Sequence, residues 1–282
     1  MGRLNINIEE GKPLDLPAAK QKLSILIGVD SFDYIITDEN NQIHVFKSYG
    51  LKQSISSNSY TEFEDFFRGD RLLNRNYKQC CITSCGPYFT LVPKKLFKPV
   101  SAAEYLKQVA ELNTKYLAQI DASESSTLVN VFGLHNFLQE WCQNRFPNAD
   151  HQHLISNLLR FAQQNKNSEA PNRLYFYKTG NQVAILLIKS HRLHFSNIFQ
   201  VDSSEQLIYY LGLIFNQFNV SQLDTSVYCL GNLKVGDDFY GILDQYLSNL
   251  QPLHLPSSFS LPGKLTTAPL NFVSIPAVAL NK

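Results

Sequence analysis

Three short apolar runs in the first fifty residues predict an antiparallel meander of β-strands. They cover residues 23–29, 33–37 and 43–49, and each has the length and the β-branched content of a strand. The polar residues 38–42 lie between the second and third runs and are typical of a tight turn. Residues 1–22 are polar and include two prolines, so we expect them to form a leader before the first strand.

Helical and strand patterns alternate in the rest of the first half. Apolar positions recur at helical spacing after Ser59, and Glu62 stands three residues later as in a capping box. Two strands around residues 80–83 and 88–92 are expected to pair with each other. The remaining expected elements are a helix at 101–120, a loop at 121–127, a strand at 128–132, and helices at 134–144 and 150–165.

The second half begins with the same pattern as the first. Three strand-length apolar runs lie at residues 174–177, 182–188 and 193–199. A helix capped by Asp202 or Ser203 follows them. The elements expected after this helix are a strand at 227–230 and a helix at 238–249.

The repeated order of elements indicates an internal duplication with one lobe per copy. Strand, strand, strand, helix, strand occurs at residues 23–85 and again at 173–230. Because antiparallel strands are followed by strands that alternate with helices, we expect an α/β protein in which each lobe is a mixed five-stranded sheet flanked by helices. The expected divisions are a leader at 1–22, a first lobe at 23–165, a second lobe at 172–255 and a proline-rich tail at 256–282.

Composition excludes several classes of protein. The chain has 25 Lys plus Arg against 24 Asp plus Glu, so it lacks the basic excess with which proteins hold nucleic acid or an acidic membrane. Hydrophobic residues make up 44% of the chain and aromatic residues 12%, enough for a large core, which excludes disorder. No signal peptide and no apolar stretch of about 18 residues is present, so we expect a cytoplasmic protein without a membrane span.

Several stretches resemble known families. Residues 26–32 (Leu-Ile-Gly-Val-Asp-Ser-Phe), 89–97 (Phe-Thr-Leu-Val-Pro-Lys-Lys-Leu-Phe) and 197–199 (Asn-Ile-Phe) look like an uncharacterised bacterial family of similar length. The duplicated order of elements is similar to the ribonuclease-H-like fold of the actin, sugar-kinase and Hsp70 ATPase superfamily. The resemblance implies two lobes with a cleft between them.

In active members of that superfamily, two hairpin turns hold the nucleotide phosphates, and the resemblance places them here at residues 30–32 and 178–181. The first turn keeps Asp30 as the acid that would organise a metal, but Phe32 stands where a glycine is expected. The second turn keeps a glycine and has no carboxylate, and the adenosine-side motif keeps one glycine of two. The candidates for cofactor binding that the resemblance implies are therefore Asp30, Ser31, Thr179, Gly180 and Gly231.

Other chemical sites are less well supported by the sequence. The acids at 30, 33 and 38 are close along the chain, but strand alternation puts the first two on opposite faces, which argues against a two-metal centre. The cysteines at 80, 81 and 85, and Cys142 with His151 and His153, lack the paired spacing of a structural zinc site. We expect buried thiols and solvated histidines, and no metal site.

Erosion at both phosphate turns indicates a degenerate, non-catalytic member of the superfamily that takes no cofactor and acts with a protein partner or in assembly. The alternative is an ATP- and Mg-dependent small-molecule kinase or ATPase that uses Asp30. The tail from 256 onward contains apolar side chains that suit either its own body or a neighbouring protein.

Overall fold

Mixed β-sheets with helices against them make up the fold. The computed structural model describes residues 3–11, 13–52, 60–111, 114–122, 126–164, 170–233, 236–252 and 258–261. The strands are β1 Arg3–Glu9, β2 Lys22–Ile27, β3 Ser31–Thr37, β4 Ile43–Gly50, β5 Gln79–Ser84, β6 Phe89–Pro93, β7 Tyr116–Ala122, β8 Leu128–His135, β9 Asp150–His153, β10 Asn172–Thr179, β11 Gln182–Lys189, β12 Arg192–Gln200, β13 Thr225–Gly231 and β14 Leu250–Pro252. The helices are α1 Tyr60–Gly69, α2 Ala102–Lys107, α3 Asn136–Arg145, α4 Leu154–Gln164, α5 Ser204–Gln217 and α6 Asp238–Tyr246.

The two large sheets share one strand order. The first sheet runs β1-β4-β3-β2-β5-β9, and the second runs β12-β11-β10-β13-β14. In each sheet the central strand, β2 or β10, is antiparallel to the strand that follows it and parallel to β5 or β13. Five strands of the first sheet thus repeat the order of the second, and the predicted two-lobe α/β architecture is confirmed.

Three apolar layers hold the lobes together. Helices α1 and α3 cover one face of the first sheet, and α5 and α6 cover the outer face of the second. Helix α4 lies between the sheets, where Ile155, Leu158 and Phe161 are fully buried among residues of β10 and β11 together with Leu26 of β2. Since burial of such side chains stabilises by about 1.5–3 kcal/mol each, α4 is the main apolar bridge across the junction.

The first sheet has six strands rather than the expected five, because part of the predicted leader is a strand. Residues Arg3–Glu9 pair antiparallel with β4. Their sequence alternates polar side chains with Leu4, Ile6 and Ile8, which is the period of a strand with one buried face. The leader prediction for residues 1–22 was therefore wrong in this segment. The lobe boundaries themselves stay predictions.

The helix predicted at residues 101–120 was also wrong beyond its first turns. Helix α2 ends at Lys107, and Tyr116–Ala122 is β7, which pairs with β8 in a separate three-stranded sheet of order β6-β8-β7. The carboxylate of Asp121 accepts the His153 N–H at 2.9 Å and lies 3.7 Å from the Arg160 guanidinium. These tertiary contacts stabilise a strand where the apolar spacing favours a helix.

Two smaller predictions fail for the same reason. Residues Asp150–His153 form β9, parallel to β5, so the helix expected at 150–165 begins only at Leu154. Strands β5 and β6 do not pair with each other, since β5 lies between β2 and β9, and β6 pairs with β8. In each case the partner strand is distant in sequence, and local patterns do not reveal it.

The described part of the tail packs on the protein's own first lobe. Phe259 is 7% exposed and lies against Ile35, Ile43 and Phe46 of the first sheet. The backbone of Ser260 forms a parallel bridge with Gln42. The rest of the predicted tail lies outside the described residues. Among the described helices, none combines the length and the apolar character needed to cross a membrane.

Candidate functional site

Two tight turns face each other at the junction of the lobes. The first turn, residues 28–31, joins β2 to β3, and the second turn, residues 178–181, joins β10 to β11. In the first turn the Gly28 N–H donates to the Ser31 carbonyl oxygen at 2.9 Å. In the second turn Gly180 has a φ of 51°, in the left-handed region that glycine adopts without strain. Each turn therefore connects the two antiparallel strands of a β-hairpin.

The two turns are in direct contact. The Val29 N–H donates to the Thr179 Oγ1 at 3.3 Å across the junction. A Cβ on Gly180 would lie 2.9 Å from the Asp30 Cγ, so the Asp30 carboxylate packs against the glycine backbone. A Cβ on Gly28 would overlap the Thr179 hydroxyl. The absence of side chains at positions 28 and 180 allows this close approach.

The contact between the two turns engages backbone N–H groups of the kind that bind a phosphate. A phosphate-binding turn presents free backbone N–H groups to the anion. Here the Gly28 N–H donates within its own turn, and the Val29 N–H donates to Thr179. The Ser31 hydroxyl donates to the Asp33 carboxylate at 2.9 Å. The protein's own oxygen atoms therefore accept from the Gly28 and Val29 N–H groups and from the Ser31 hydroxyl.

Lys178 is the cation of the second turn. Its Nζ donates to the Gly180 carbonyl oxygen at 2.7 Å and lies 5.1 Å from the centre of the Phe239 ring. Burial lowers the pKa of Lys178, while the nearby carboxylates of Asp30 and Asp237 act in the opposite direction. The ammonium is thus held by the carbonyl oxygen of the turn and by an aromatic face. The sequence analysis did not single out this residue.

Gly231 has a packing role at the end of β13. Its φ is 85°, and a Cβ at this position would overlap the Lys178 carbonyl oxygen. The next residue, Asn232, donates its N–H to the same oxygen at 2.8 Å. A glycine is therefore required where β13 passes β10, and this requirement exists without any nucleotide.

The side chain of Phe32, which stands where a glycine is expected, is directed into the first lobe. Phe32 belongs to β3, and its side chain is fully buried in the core of the first lobe. The ring lies 5.6 Å from that of Phe63 and 6.3 Å from that of Trp141, both edge-to-face. Thr179 and Asp30, rather than this aromatic side chain, occupy the space in front of the turn.

The three nearby acids are separated by the fold. Asp30 is exposed beside the second turn, whereas Asp33 is 2% exposed and has an Oδ1 atom without a hydrogen-bond partner. Burial raises the pKa of Asp33 to about 6, against hydrogen bonds from Ser48 and Ser31 that lower it. Asp38 lies at the β3–β4 turn, where it accepts the Asn40 and Gln42 N–H groups. The acids do not gather as a two-metal centre requires.

The predicted thiols and histidines do not form a metal site either. Within the described ranges, no three His, Cys, Asp or Glu side chains are placed to share a metal ion. All five cysteines are free thiols, and Cys81, Cys142 and Cys229 are buried. His153 is fully buried, so the expectation that it is solvated was wrong. Its Nε2–H donates to the Gly86 carbonyl oxygen at 2.9 Å, and its Nδ1 accepts from the Asn130 amide at 3.1 Å.

A pocket of about 200 Å³ opens beside the first turn. The carboxyl ends of β2 and β5 form its floor, and the rings of Tyr88, Tyr116 and His135 form one wall, with successive ring centres 5.0 Å and 5.3 Å apart. Burial lowers the pKa of His135, and Lys115 lowers it further. None of the described lining residues is Lys, Arg, Asp or Glu. Polar contacts in the described lining therefore come from uncharged side chains, the His135 imidazole and backbone groups.

The sequence matches one family over most of its length. Residues 14–250 match the family described as Protein of unknown function (DUF3822). The chain belongs to this family. The resemblance expected from the sequence is thereby confirmed. No curated protein matches the chain.

Solved structures agree on the fold of this DUF3822 protein. A Bacteroides thetaiotaomicron protein with actin-like ATPase fold and unknown function is similar with a TM-score of 0.77 and 16% identity, over 93% of this chain and 96% of that one. The PilM-PilN type IV pilus biogenesis complex is similar with a TM-score of 0.58 and 13% identity, over 94% of this chain and 97% of that one. The actin-like fold expected from the resemblance is confirmed, and at these identities the comparison shows the fold alone.

The five candidate residues of this DUF3822 protein lie at one junction, and their role in binding a nucleotide stays a prediction. Lys178, the burial of Asp33 and the aromatic wall of the pocket were not predicted from the sequence. The wall was missed because Tyr116 fell inside the wrongly predicted helix. The buried acid had a usable signal, since Asp33 interrupts an otherwise apolar strand between Phe32 and Tyr34.

Proposed function

We propose that this DUF3822 protein is a non-catalytic member of the actin-like fold that acts through protein–protein interaction or assembly. The observation that carries the proposal is the contact between the two turns. Val29 and Thr179 bond across the junction, and Asp30 packs on Gly180. A triphosphate placed at these turns would have to displace Thr179 and compete for donors that are already in use.

Two further observations support an interaction role. The pocket beside the first turn has no formally charged lining among its described residues, so it does not supply the cations that phosphates need. The similar fold in the PilM-PilN complex belongs to a protein that assembles with another protein. We therefore expect an unidentified protein partner and no nucleotide cofactor. The cytoplasmic location stays a prediction.

Nucleotide binding tests the proposal directly. The wild-type protein is heated with millimolar ATP or ADP and Mg²⁺, and its melting temperature is compared with that of the protein alone. We expect no change, because a ligand raises the melting temperature only if it binds the folded state. A rise of several degrees would contradict the proposal.

The competing hypothesis is an ATP- and Mg-dependent kinase or ATPase that uses Asp30, and the exposed carboxylate of this residue at the junction is what favours it. Phosphate release by wild type, by Asp30→Asn and by the control Asp38→Asn separates the two. We expect background rates from all three proteins. Release by wild type and Asp38→Asn, with loss in Asp30→Asn, would establish the competing hypothesis.

Photo-crosslinking in native cells tests the interaction role. A crosslinking amino acid is placed at Tyr209 on α5, 62% exposed, or at Leu96 after β6, 68% exposed. A specific partner gives a discrete adduct from one position and not from the other. Absence of an adduct from these and from a series of other exposed positions would count against an interaction role.

A further inference from the structure

A second pocket lies at the opposite end of β10 from the two turns. It has a volume of about 380 Å³, within the range of small-molecule sites. Arg173 near the start of β10 lines it, and Thr179 of the second turn is six residues further along that strand. At about 3.3 Å per residue the two positions are about 20 Å apart. The pocket is therefore separate from the site between the turns.

Two arginines and a histidine line this pocket. They are Arg173, Arg192 and His191, and no described lining residue carries a carboxylate. The guanidinium of Arg173 is almost completely buried, at 3% exposure for the residue, and donates to the Ala162 carbonyl oxygen and the Tyr175 hydroxyl. A buried arginine is costly to maintain and offers planar donors that suit carboxylate or phosphate.

A small adjoining cavity adds a further donor. It shares Leu159 and Gln163 with the larger pocket and has a volume of about 20 Å³, enough for a single water molecule. Arg160 and Asp121 line this cavity, with the Arg160 Nη2 3.7 Å from the Asp121 carboxylate. The buried Nη1 atom of Arg160 has no hydrogen-bond partner. A buried N–H without an acceptor costs about 1–3 kcal/mol, so an oxygen atom entering from the pocket side would be stabilised here.

The hairpin that brings His191 and Arg192 to the pocket is strained. Residues Ser190 and His191 join β11 to β12 with φ values of 48° and 63°, in the left-handed region. Turns of this kind favour glycine or asparagine, and other residues there cost about 1–3 kcal/mol each. The chain nevertheless places an imidazole at this position, beside Arg192 at the mouth of the pocket.

Apolar side chains complete the lining. Leu128, Leu159, Ile188 and Leu193 come from the first lobe, from α4 and from the second sheet, and they surround the polar groups. We propose that this pocket binds a small organic anion, a carboxylate or phosphate monoester with a compact apolar body. The arginines hold the anionic group, and the leucine and isoleucine side chains enclose the apolar part. This inference does not depend on the proposed function.

Phenyl phosphate and benzoate are the probes, and benzyl alcohol is the neutral control. Binding to the full chain is measured by calorimetry at low salt, and the site is located by chemical shift changes in labelled protein. We expect phenyl phosphate or benzoate to bind with shifts at Thr127 and Leu193, and benzyl alcohol not to bind. Binding by phenyl phosphate alone identifies a phosphate ligand, and binding by benzoate alone a carboxylate. No binding by either anion, shifts elsewhere, or equal binding of the alcohol overturns the proposal.

Variants connect binding to the named residues. Arg192→Gln removes an exposed charge at the pocket, and Arg68→Gln removes an exposed charge on α1. We expect the affinity to be at least tenfold weaker in Arg192→Gln and unchanged in Arg68→Gln. A charge-assisted hydrogen bond is lost only in Arg192→Gln. Equal affinity in both variants would refute the assignment.

His191→Gly separates binding from folding. Glycine relieves the left-handed backbone at this position, so the melting temperature should not fall, while the loss of the imidazole should weaken anion binding severalfold. A purely structural role for His191 would leave the affinity unchanged. That result, together with wild-type affinity in Arg192→Gln, would show that the hairpin does not contribute to an anion site.

Discussion

The amide of Val29 in the first lobe donates a hydrogen bond to the side-chain hydroxyl of Thr179 in the second lobe, at 3.3 Å. The two residues are 150 positions apart in the sequence, and each belongs to a turn that the fold presents to the junction. A cleft that must admit a nucleotide needs these turns apart. Here a hydrogen bond joins the two turns, and the Asp30 carboxylate packs against Gly180 of the second turn.

The contact between the lobes predicts a measurable loss of stability in Thr179→Val. Valine keeps the shape of threonine but leaves the Val29 N–H without an acceptor, which costs about 1–2 kcal/mol. Urea unfolding measures the loss, and Thr61→Val on the exposed surface of α1 is the control. Amide exchange at Val29 should also accelerate. Equal stability of both variants would show that the bond does not hold the turns together.

Gly231→Ala is predicted to destabilise the protein by about 2 kcal/mol or more, because its left-handed φ disfavours a side chain and its Cβ would overlap the Lys178 carbonyl oxygen. Gly241→Ala, in the interior of α6 with open space around its Cβ, is the matched control. There we expect a gain of about 0.5–1 kcal/mol. Thermal unfolding of the two variants should change in opposite directions. A Gly231→Ala protein as stable as wild type would contradict the packing role.

The buried carboxylate of Asp70 is predicted to be essential to the first lobe. Its Oδ2 atom accepts bonds from the Tyr34 hydroxyl at 2.5 Å, the Tyr49 hydroxyl at 2.7 Å and the Lys47 Nζ at 3.0 Å. Asp70→Ala leaves buried donors without an acceptor, and we expect a loss of about 3–5 kcal/mol in chemical unfolding. The surface substitution Asp65→Asn should cost about 1 kcal/mol or less. Similar losses in the two variants would be inconsistent with the network.

The same network predicts a pH dependence. Burial alone would raise the pKa of Asp70, but the hydrogen bonds from Tyr34, Tyr49 and Lys47 outweigh it and hold the pKa below its usual value. A carboxyl with a lowered pKa in the folded state stabilises the protein above its unfolded pKa of about 4 and loses that contribution as the pH falls further. Acid unfolding below about pH 4 should therefore be steeper in wild type than in Asp70→Ala.

The buried carboxyl of Asp33 leads us to predict the opposite change of stability with pH, in a higher pH range. Its folded pKa of about 6 lies above the ordinary value of 3.8, so the folded state holds a proton that the unfolded state has released. Stability should therefore fall as the pH rises from about 4 to about 6, by about 3 kcal/mol in total. Asp33→Asn should abolish this dependence, as measured by urea unfolding at several pH values. Asp38→Asn, at a partly exposed acid, should keep it.

Much of the fold follows from local patterns. The apolar runs of β2, β3, β10 and β11 are separated by turn residues, and the spacing of their side chains is sufficient to place them as strands. The aromatic spacing of α1 likewise places a helix. Predictions failed where a polar or amphipathic segment found a distant partner: β1 on β4, β7 on β8, and β9 on β5. Pairing with a partner strand satisfies the backbone of such a segment whatever its local preference.

The candidate site also has features that the sequence predicted and features that it did not. The resemblance identified Asp30, Ser31, Thr179, Gly180 and Gly231, and the structure brings them to one junction. It did not indicate that Gly231 is required by the Lys178 carbonyl, or that Phe32 points into the core. Both facts depend on which backbone segments pass close to each other, and neighbouring residues in the sequence carry no information on that.

The sequence by itself determined the repeated order of strands and helices, because period-two and helical spacing of apolar side chains act over a few residues. It also determined that charge is balanced along the chain. Only the tertiary structure decided that the two turns meet and that arginines from separate elements line one pocket. These arrangements depend on how α4 packs between the sheets. They therefore depend on contacts between residues that are far apart in the chain.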